Sequence, residues 1–595
     1  MQFSTFSSYL AKLEKTSLRN QMTQILAQLF KQCDPQEIDK VCYLSLGQLA
    51  PKYEGIEFNM AEKLMIKAVA QSTLIDKVIV LKDYKENGDL GNTIEKFRKE
   101  IKKSSSKNLN ISEVYNQLLL IAQENGEGSV ERKINKMANL LKELDPLSVK
   151  YVVRMPLGKL RLGFSDMTIL DSLSWLGAGN KSLRPQLEKA FNVLADIGKI
   201  ARIFKLKGIK GIKSIKSEVG VPIRAAKAER LANAEKILEK MDGQCVLEPK
   251  YDGFRVQVHL NKIKDLRSKI EVEEKNLELF SNKEKKEYFV RIFSRNLEDT
   301  THMFPEIVKA VQKLPVKSVI LDGEAIAFNP KTNEFLPFQE TVQRKRKHDV
   351  ENKAKEVPLK VFVFDILYLN GELLLNKPFK ERRNLLEKIL INQENQGSTL
   401  KITEQKAVSK AKEFNAFFKT VVNEGLEGLM AKKTDSIYQA GARNFNWVKY
   451  KVGMKSELAD TIDCVVMGYY YGKGKRTTFG IGAFLVGIPD KNKILTVSKI
   501  GTGLTDEQWQ TIFKSLISLK ISEKPKEYVV DKNLYPDVWC KPKLVVEIEA
   551  DTITKSPIHS AGMALRFPRL KRFRDDKNAD QATSLAELKK LVKIK

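Results

Sequence analysis

Cysteine is scarce and scattered in this chain: Cys33, Cys42, Cys245, Cys464 and Cys540 form no C-x-x-C pair, and the four histidines show no ligand spacing. That argues against a structural zinc module and points to a reducing compartment. No run approaches the roughly 20 consecutive apolar residues that a membrane-spanning helix needs. The opening MQFSTFSSYL also lacks the charged start and apolar centre of a signal peptide. A soluble, intracellular protein with no membrane partner is expected. There is no Walker-type phosphate loop, no G-x-G-x-x-G and no long internal repeat, so any nucleotide must be held by other means.

What is abundant is positive charge. Lysine and arginine number 103 against 74 aspartate and glutamate, a formal net charge of +29 spread over the whole length. A polyanionic partner explains the excess, but so does a well-solvated surface, and charge alone does not separate them. At 595 residues the chain exceeds what one hydrophobic core organises, so about three or four domains are expected.

From Phe6 to Phe30 the apolar residues Phe6, Tyr9, Leu10, Leu13, Met22, Ile25, Leu26, Leu29 and Phe30 mostly recur at three- and four-residue steps, which predicts an amphipathic helix. AEKLMIKAVAQS, ISEVYNQLLLIAQ, INKMANLLKEL and MTILDSLSWL repeat the pattern, so residues 1–220 are expected to be all-α. After GVPIRAAKAER, the segments QCVLEPKYDGFRVQVHL, KSVILDGEAIAF, LKVFVFDILYL and FNWVKYKVG are β-rich and interleaved with helical stretches, which predicts an α/β domain over 221–453. From about residue 454 short strands alternate with Gly- and charge-rich turns, and an all-β barrel over 454–595 is expected. The densely charged residues 261–288 separate two β-like segments and read as an inserted surface hairpin or helix.

The most informative segment is LEPKYDGFRVQVH. Lys250 and Asp252 are two apart and would share a face at the end of a strand, with Gly253 letting the chain turn. A lysine attacks phosphorus only as the free amine, so it needs neighbouring cations or a bound metal to lower its pKa. In SVILDGEAIAF, period two puts Asp322 and Glu324 on one strand face with Ile320 and Ile326, an odd place for two carboxylates in a plain core. The order of the segments downstream of Lys250 carries more weight: RIFSRNLEDTT, SVILDGEAIAF, VFVFDILYLNGE, EGLEGLMAKK, NWVKYK and LRFPRLKRFRDDK. Together with YVVRMPLGKLRLGFSDMTIL in the helical part, this series resembles the ATP-dependent DNA ligases of the three-domain, archaeal and eukaryotic type.

The resemblance implies an all-α DNA-binding domain, an α/β nucleotidyltransferase domain (ATP-grasp-like) and an all-β OB-fold (oligonucleotide-binding) domain. Carried over residue by residue, Lys250 would be the nucleophile that takes AMP, Glu248 would hydrogen-bond adenine, and Arg255 and Arg295 would face ribose and phosphate. Glu324 would meet ribose or metal, and Glu427 would be a metal-associated carboxylate, since a hard divalent cation wants oxygen ligands. Mg²⁺ is the expected ion, with Mn²⁺ an alternative. Phe364 would stack on adenine with Met430 on the opposite ring face, although each would look identical as a core residue.

Lys449 and Lys451 alternate on one strand after Trp447, and two like charges on one face are costly unless an anion lies between them. The resemblance makes that anion the α-phosphate of ATP, with Lys432 and Arg443 adding positive charge. Arg572, Arg574 and Lys577 would close over the β- and γ-phosphates. Arg154, Lys159 and Arg161 in the helical part and Lys473, Lys475 and Arg476 in the β part are the candidate DNA contacts.

The function implied is sealing of 5′-phosphate/3′-hydroxyl nicks in duplex DNA, in replication, repair or recombination, by a monomer. Its location would be cytoplasmic and nucleoid-associated in a prokaryote, nuclear in a eukaryote. An RNA ligase or capping guanylyltransferase shares the K-x-D-G motif but does not explain the helical N-terminal part. A noncatalytic DNA-end-binding protein would have no need of every ionisable residue found here. QMTQILAQLF superficially resembles a sliding-clamp-binding peptide, but its apolar spacing fits a buried helix better.

Overall fold

The structure, a computed structural model, describes residues 1–101, 106–262, 288–332, 334–336, 338–344, 349–391, 398–451, 461–472, 476, 479–550 and 552–593. Most of the charged 261–288 stretch, together with Lys473 and Lys475, therefore lies outside the described residues. Among the described residues, helices run from Phe3–Glu14 to Ile197–Lys213, and the first named strand begins only at Lys227. The chain forms two compact units, one of residues 1–59, 108–129 and 162–454, the other of residues 60–107, 130–161 and 455–595.

The opening segment is two helices, Phe3–Glu14 and Arg19–Gln32, rather than the single one the spacing predicts. The break falls at Thr16, whose hydroxyl accepts from the Leu18 N–H at 3.2 Å and donates to the Gln21 Oε1 at 2.6 Å. Such local bonding competes with the helix ladder. Met22, Leu26, Leu29 and Phe30 are buried, so the apolar residues of QMTQILAQLF belong to the core.

In the first unit, two sheets follow the helices. Their strands are β1 (Lys227–Arg230), β2 (Cys245–Lys250), β3 (Phe254–Lys262), β4 (Tyr288–Ser294), β5 (Ser318–Ala327), β6 (Leu359–Leu369), β7 (Glu372–Leu373), β8 (Leu400–Ile402), β9 (Lys406–Val408), β10 (Gly428–Lys432) and β11 (Arg443–Lys451). One sheet has the order β1-β11-β10-β2-β9; the other has β4-β3-β5-β6-β7 with β8 beside β6. On the first sheet Leu247, Leu429, Ala431, Val448 and Tyr450 pack on Ile237, Phe414 and Phe417 of the helices Ala234–Lys240 and Ala411–Asn423. On the second, Val256, Val258, Leu321 and Val361 pack with Ile307 and Leu386 of the helices Pro305–Gln312 and Phe379–Leu390. A third cluster joins the sheets to each other through Ile320, Leu367, Tyr438 and Trp447, with Phe364 and Met430 at its margin.

In the second unit, strands Ile462–Tyr470, Ala483–Asp490 and Lys493–Ile500 form an antiparallel series. Val545–Glu549 pairs on the other side of the first of these, and Arg569–Phe573 pairs with it in turn. The region is sheet-rich but not all-β: Asp506–Ile517 is a helix. Thr505 and Gln508 close a capping box at its start, and Trp509, Ile512 and Leu516, buried at helical spacing, seat it on the sheet. No helix among the described residues is long and apolar enough to cross a membrane.

Candidate active site

Strand β2 ends on Lys250, and the central β10 lies between it and β11. The register sets Gly428 opposite both Lys250 and Lys451, and Met430 opposite both Glu248 and Lys449. Two rows of side chains thus cross one face, Lys250–Gly428–Lys451 and Glu248–Met430–Lys449. Period two puts Trp447 on the face of Lys449 and Lys451, while Val448 and Tyr450 enter the core behind. Gly428 has φ +146°, and a Cβ there would come within 2.2 Å of the Tyr450 carbonyl oxygen, so only glycine fits between the two lysines.

Glu427, just before that glycine, forms ion pairs with both Lys250 and Lys451. Burial lowers the Lys250 pKa below the ordinary lysine value; Glu324 and Asp252 oppose the shift and Arg295 adds to it. The direct contact with Glu427 favours the ammonium. A free amine at Lys250 therefore requires Glu427 to release it. Lys449 has no ion pair among the described residues; burial and the nearby Arg443, Lys250, Arg295 and Arg230 lower its pKa. A crowd of cations of this kind is relieved by an anion.

The other wall comes from the second sheet. Arg255 of β3 lies opposite Glu324 of β5, and Gln257 lies opposite Asp322. Arg255 binds Asp322 through two bonds of 3.0 and 2.6 Å, donates to the Ala226 carbonyl at 2.9 Å, and sits 5.4 Å from the Phe364 ring centroid. The Tyr438 hydroxyl donates to the same Asp322 carboxylate at 2.8 Å. Gly253 sits at a bend between β2 and β3, and its lack of a side chain leaves room there for the Ala325 carbonyl oxygen, which a Cβ would approach to 2.3 Å.

Glu248 is buried and forms an ion pair with the equally buried Lys432 at 2.7 Å, while the Gln405 amide donates to its other oxygen at 2.7 Å. Burial raises the Glu248 pKa and lowers that of Lys432. Lys432 also donates to the Phe364 carbonyl at 3.1 Å and lies 4.5–4.8 Å from the ring centroids of Trp447, Phe379 and Phe364. Its charge is spent on the protein, so it forms the floor of the site and is not a free cation beside Lys449 and Lys451. Phe364 stands edge-on to Trp447, with centroids 5.8 Å apart, and is only half-buried.

Glu324 has no hydrogen bond or ion pair among the described residues. Burial pushes its pKa up to about 7 against the pull of Lys250, Arg255 and Arg295. Among the described residues no three His, Cys, Asp or Glu side chains cluster to hold a metal by themselves. Mg²⁺ asks for less, one or two carboxylates completed by waters and substrate phosphates. An unpartnered Glu324 and a Glu427 already bound to two cations fit that demand.

Comparison with known proteins finds similarity along almost the whole chain. The family model "ATP dependent DNA ligase domain" matches residues 280–451, "DNA ligase N terminus" residues 2–174 and "ATP dependent DNA ligase C terminal region" residues 477–577. A probable DNA ligase of Dictyoglomus turgidum is 45% identical over 599 aligned residues, covering 99% of this chain and 97% of the relative. The chain belongs to the ATP-dependent DNA ligase family. A DNA ligase of Sulfolobus acidocaldarius is 38% identical over 99% of this chain and 97% of its own. The solved structure Pmar-Lig_PreS3 shares the fold, with a TM-score of 0.55 at 18% identity over 96% of this chain and 99% of that one. Family membership makes the protein an enzyme that uses ATP, built from a helical N-terminal region and sheet-rich regions after it.

Arg443 opens β11 and Arg295 stands just beyond β4, both exposed and both close enough to Lys449 to lower its pKa. The remaining candidates fall elsewhere. Arg572, Arg574 and Lys577 belong to the second compact unit, where Arg572 pairs with Glu547, Arg574 with Asp463 and Asp576, and Lys577 with Asp463. Arg154 is 1% exposed and its guanidinium is bound to Asp89 and Asn92, so it braces helices and is not a surface contact. Arg161 pairs with the same Asp89, and Lys159 pairs with Glu62. Arg476 lies 4.7 Å from the Trp509 ring centroid and donates to the Gly482 carbonyl.

Sequence reasoning missed Tyr438, Gln405 and the fully buried pair Arg382–Asp365, which stiffens β6 next to Phe364. Their signal is weak because each partner lies far along the chain or is polar in a way many surface residues are. Only Asp322 left a trace, as a carboxylate on an apolar face.

Proposed function

We propose that the protein seals 5′-phosphate/3′-hydroxyl nicks in duplex DNA by way of AMP carried covalently on Lys250. One observation carries this reading: Lys250 and Lys451 both pair with Glu427 on a sheet face that also carries Lys449, which has no ion pair among the described residues. A lysine that must lose its proton, beside two cations that must find an anion, is the arrangement nucleotidyl transfer to an amine requires.

Once Glu427 releases it, the Lys250 Nζ attacks the α-phosphorus of ATP. A P–N bond forms, the P–O bond to pyrophosphate breaks, and the ammonium proton is lost. Lys449 and Lys451 neutralise the charge that develops on the α-phosphate oxygens. Glu248 with Gln405 faces the adenine edge, Phe364 and Met430 flank the ring, Trp447 and Lys432 form the floor, and Arg255, Arg295 and Arg443 line the ribose and phosphate side. Glu324 and Glu427 would hold Mg²⁺ or Mn²⁺, which supplies charge neutralisation on the phosphates when bound.

An oxygen of the nick's 5′-phosphate then attacks the lysyl phosphoramidate, breaking the P–N bond and leaving AMP joined to the DNA end. The 3′-hydroxyl attacks that 5′-phosphorus, forms the phosphodiester and expels AMP. Arg572, Arg574 and Lys577 serve the first step by binding the β- and γ-phosphates, exchanging their carboxylate partners for phosphate. The corresponding division of labour is 1–220 for a helical DNA-binding domain, 221–453 for adenylation and 454–595 for an OB-fold domain, with Lys159, Lys473, Lys475 and Arg476 on DNA phosphates.

The test is incubation with α-labelled ATP and Mg²⁺ without DNA, then denaturing electrophoresis. Label retained on wild type and absent from Lys250→Ala is expected; equal labelling of the two, or none on wild type, refutes the assignment.

A further inference from the structure

Within the first compact unit, an open cavity of about 290 Å³ lies between the helical residues Tyr43, Lys52, Asp166 and Phe191 and the residues Arg224 and Lys227, before and at the start of β1, and Arg295, just past β4. A water occupies about 30 Å³, so there is space for roughly ten, or for a group the size of one or two phosphates. The cavity shares Arg295 with the candidate nucleotide site and no other residue assigned there. It is therefore a neighbour of that site rather than part of it.

Four cationic side chains line it, Lys52, Arg224, Lys227 and Arg295, against one carboxylate, Asp166. Lys52, Lys227 and Arg295 make no ion pair or hydrogen bond through their side chains among the described residues. Arg224 is committed to position instead: it donates to Asn192 Oδ1 at 3.2 Å and stacks 5.0 Å from the Phe191 ring centroid. Asp166 faces Arg224 and Lys52, so its single charge is already shared. Partial desolvation, with Arg224, Arg443 and Arg295 adding to it, holds the pKa of the otherwise exposed Lys227 below the ordinary lysine value. Amide side chains of Gln48 and Asn296 add neutral donors. A cavity with a net of three positive charges and spare N–H donors is built for a multiply charged oxyanion.

The geometry points to a second phosphate site beside the adenylation centre, formed by Lys52, Arg224, Lys227 and Arg295. It rests on the reading of Lys250 as the adenylated residue. The chemistry it recognises is a phosphate, supplied either by the pyrophosphate leaving group or by a backbone phosphate of the DNA.

Lys52 and Lys227 are exposed and have no ion pair among the described residues, so the double variant Lys52→Gln/Lys227→Gln should fold; Lys52→Gln alone, at an exposed position outside the sheets, serves if it does not. Two assays separate the sources in the full-length chain. In the first, inorganic pyrophosphate discharges preformed lysyl-adenylate without DNA. In the second, binding of a nicked duplex is measured over a range of salt. A pyrophosphate site predicts at least a tenfold rise in the pyrophosphate concentration for half-discharge, with duplex binding unchanged. A backbone site predicts at least tenfold weaker duplex binding and a salt slope reduced by about one per lost contact, with discharge unchanged. Lys52→Arg/Lys227→Arg should restore either. Both measures within twofold of wild type overturn the second site. Absence of any wild-type lysyl-adenylate instead overturns the Lys250 reading on which it rests.

Discussion

Replacing Lys432 with methionine tests how the floor of the site is held together. Methionine is of similar length, and a thioether packs well among Trp447, Phe379 and Phe364. The change therefore removes charge with little loss of packing. What remains is Glu248, buried, with one Gln405 hydrogen bond of 2.7 Å in place of a full ion pair. Removing one partner of a buried pair costs about 3–5 kcal/mol. For a cooperative unit of 150–250 residues this lowers Tm by about 6–20 °C.

The sign of its pH dependence is set by the same pair. Burial already raises the Glu248 pKa and Lys432 opposes that rise, so without Lys432 the folded state takes up a proton more readily than the unfolded chain. The penalty should shrink as pH falls from 8 to 5. Scanning calorimetry of wild type, Lys432→Met and Glu248→Gln/Lys432→Met measures each arm, and the double variant should recover most of the loss because no uncompensated charge is left. A Lys432→Met Tm within about 2 °C of wild type, or a double variant no more stable than the single, would refute this account.

Other parts of the molecule give sharper functional contrasts. Asp322→Asn leaves the Arg255 guanidinium without its two-bond partner and should raise the KM for ATP in self-adenylation by about tenfold, read from single-turnover labelling. Arg154→Ala removes one of the two ion-pair partners of buried Asp89, Arg161 remaining, and should cost about 1–3 kcal/mol in denaturant unfolding, while the salt slope of DNA binding by the folded protein stays that of wild type. A slope lower by one would restore Arg154 as a DNA contact. Burial pushes the His259 pKa down from 6.5 to about 3, so the unfolded chain binds a proton between those values and the native ring does not. Stability should fall as pH drops below about 6.5, and His259→Gln should flatten that fall in Tm measured between pH 4 and 7.

Much of this was legible in the chain because the decisive residues are local. The K-x-D-G-x-R series, the Asp322 and Glu324 pair and the Lys449 and Lys451 pair each declare themselves within a few positions, and strand periodicity says which share a face. Partners distant in sequence were not legible. Nothing near Arg255 announces that Asp322 and Tyr438 will bind it, and nothing near Lys432 announces that Glu248 will neutralise it. Local chemistry misled where it competed with periodicity, as at Thr16, where a side-chain bond divides a continuous apolar pattern into two helices. Arg154 misled for another reason: in sequence a buried arginine is indistinguishable from an exposed one.

The registry of β10 has a consequence for how this chain tolerates insertions and deletions. A single residue gained or lost between Gly428 and Lys432 would turn Met430 and Lys432 to opposite faces and move Gly428 out from between Lys250 and Lys451. Five residues thus carry the alignment of three strands, and no compensating change elsewhere in the sheet restores it. Attempts to graft tags, split the chain or recombine it with a relative should leave this strand whole and place their junctions in exposed turns such as Asp490–Lys493, where two strands of the other compact unit meet in a hairpin.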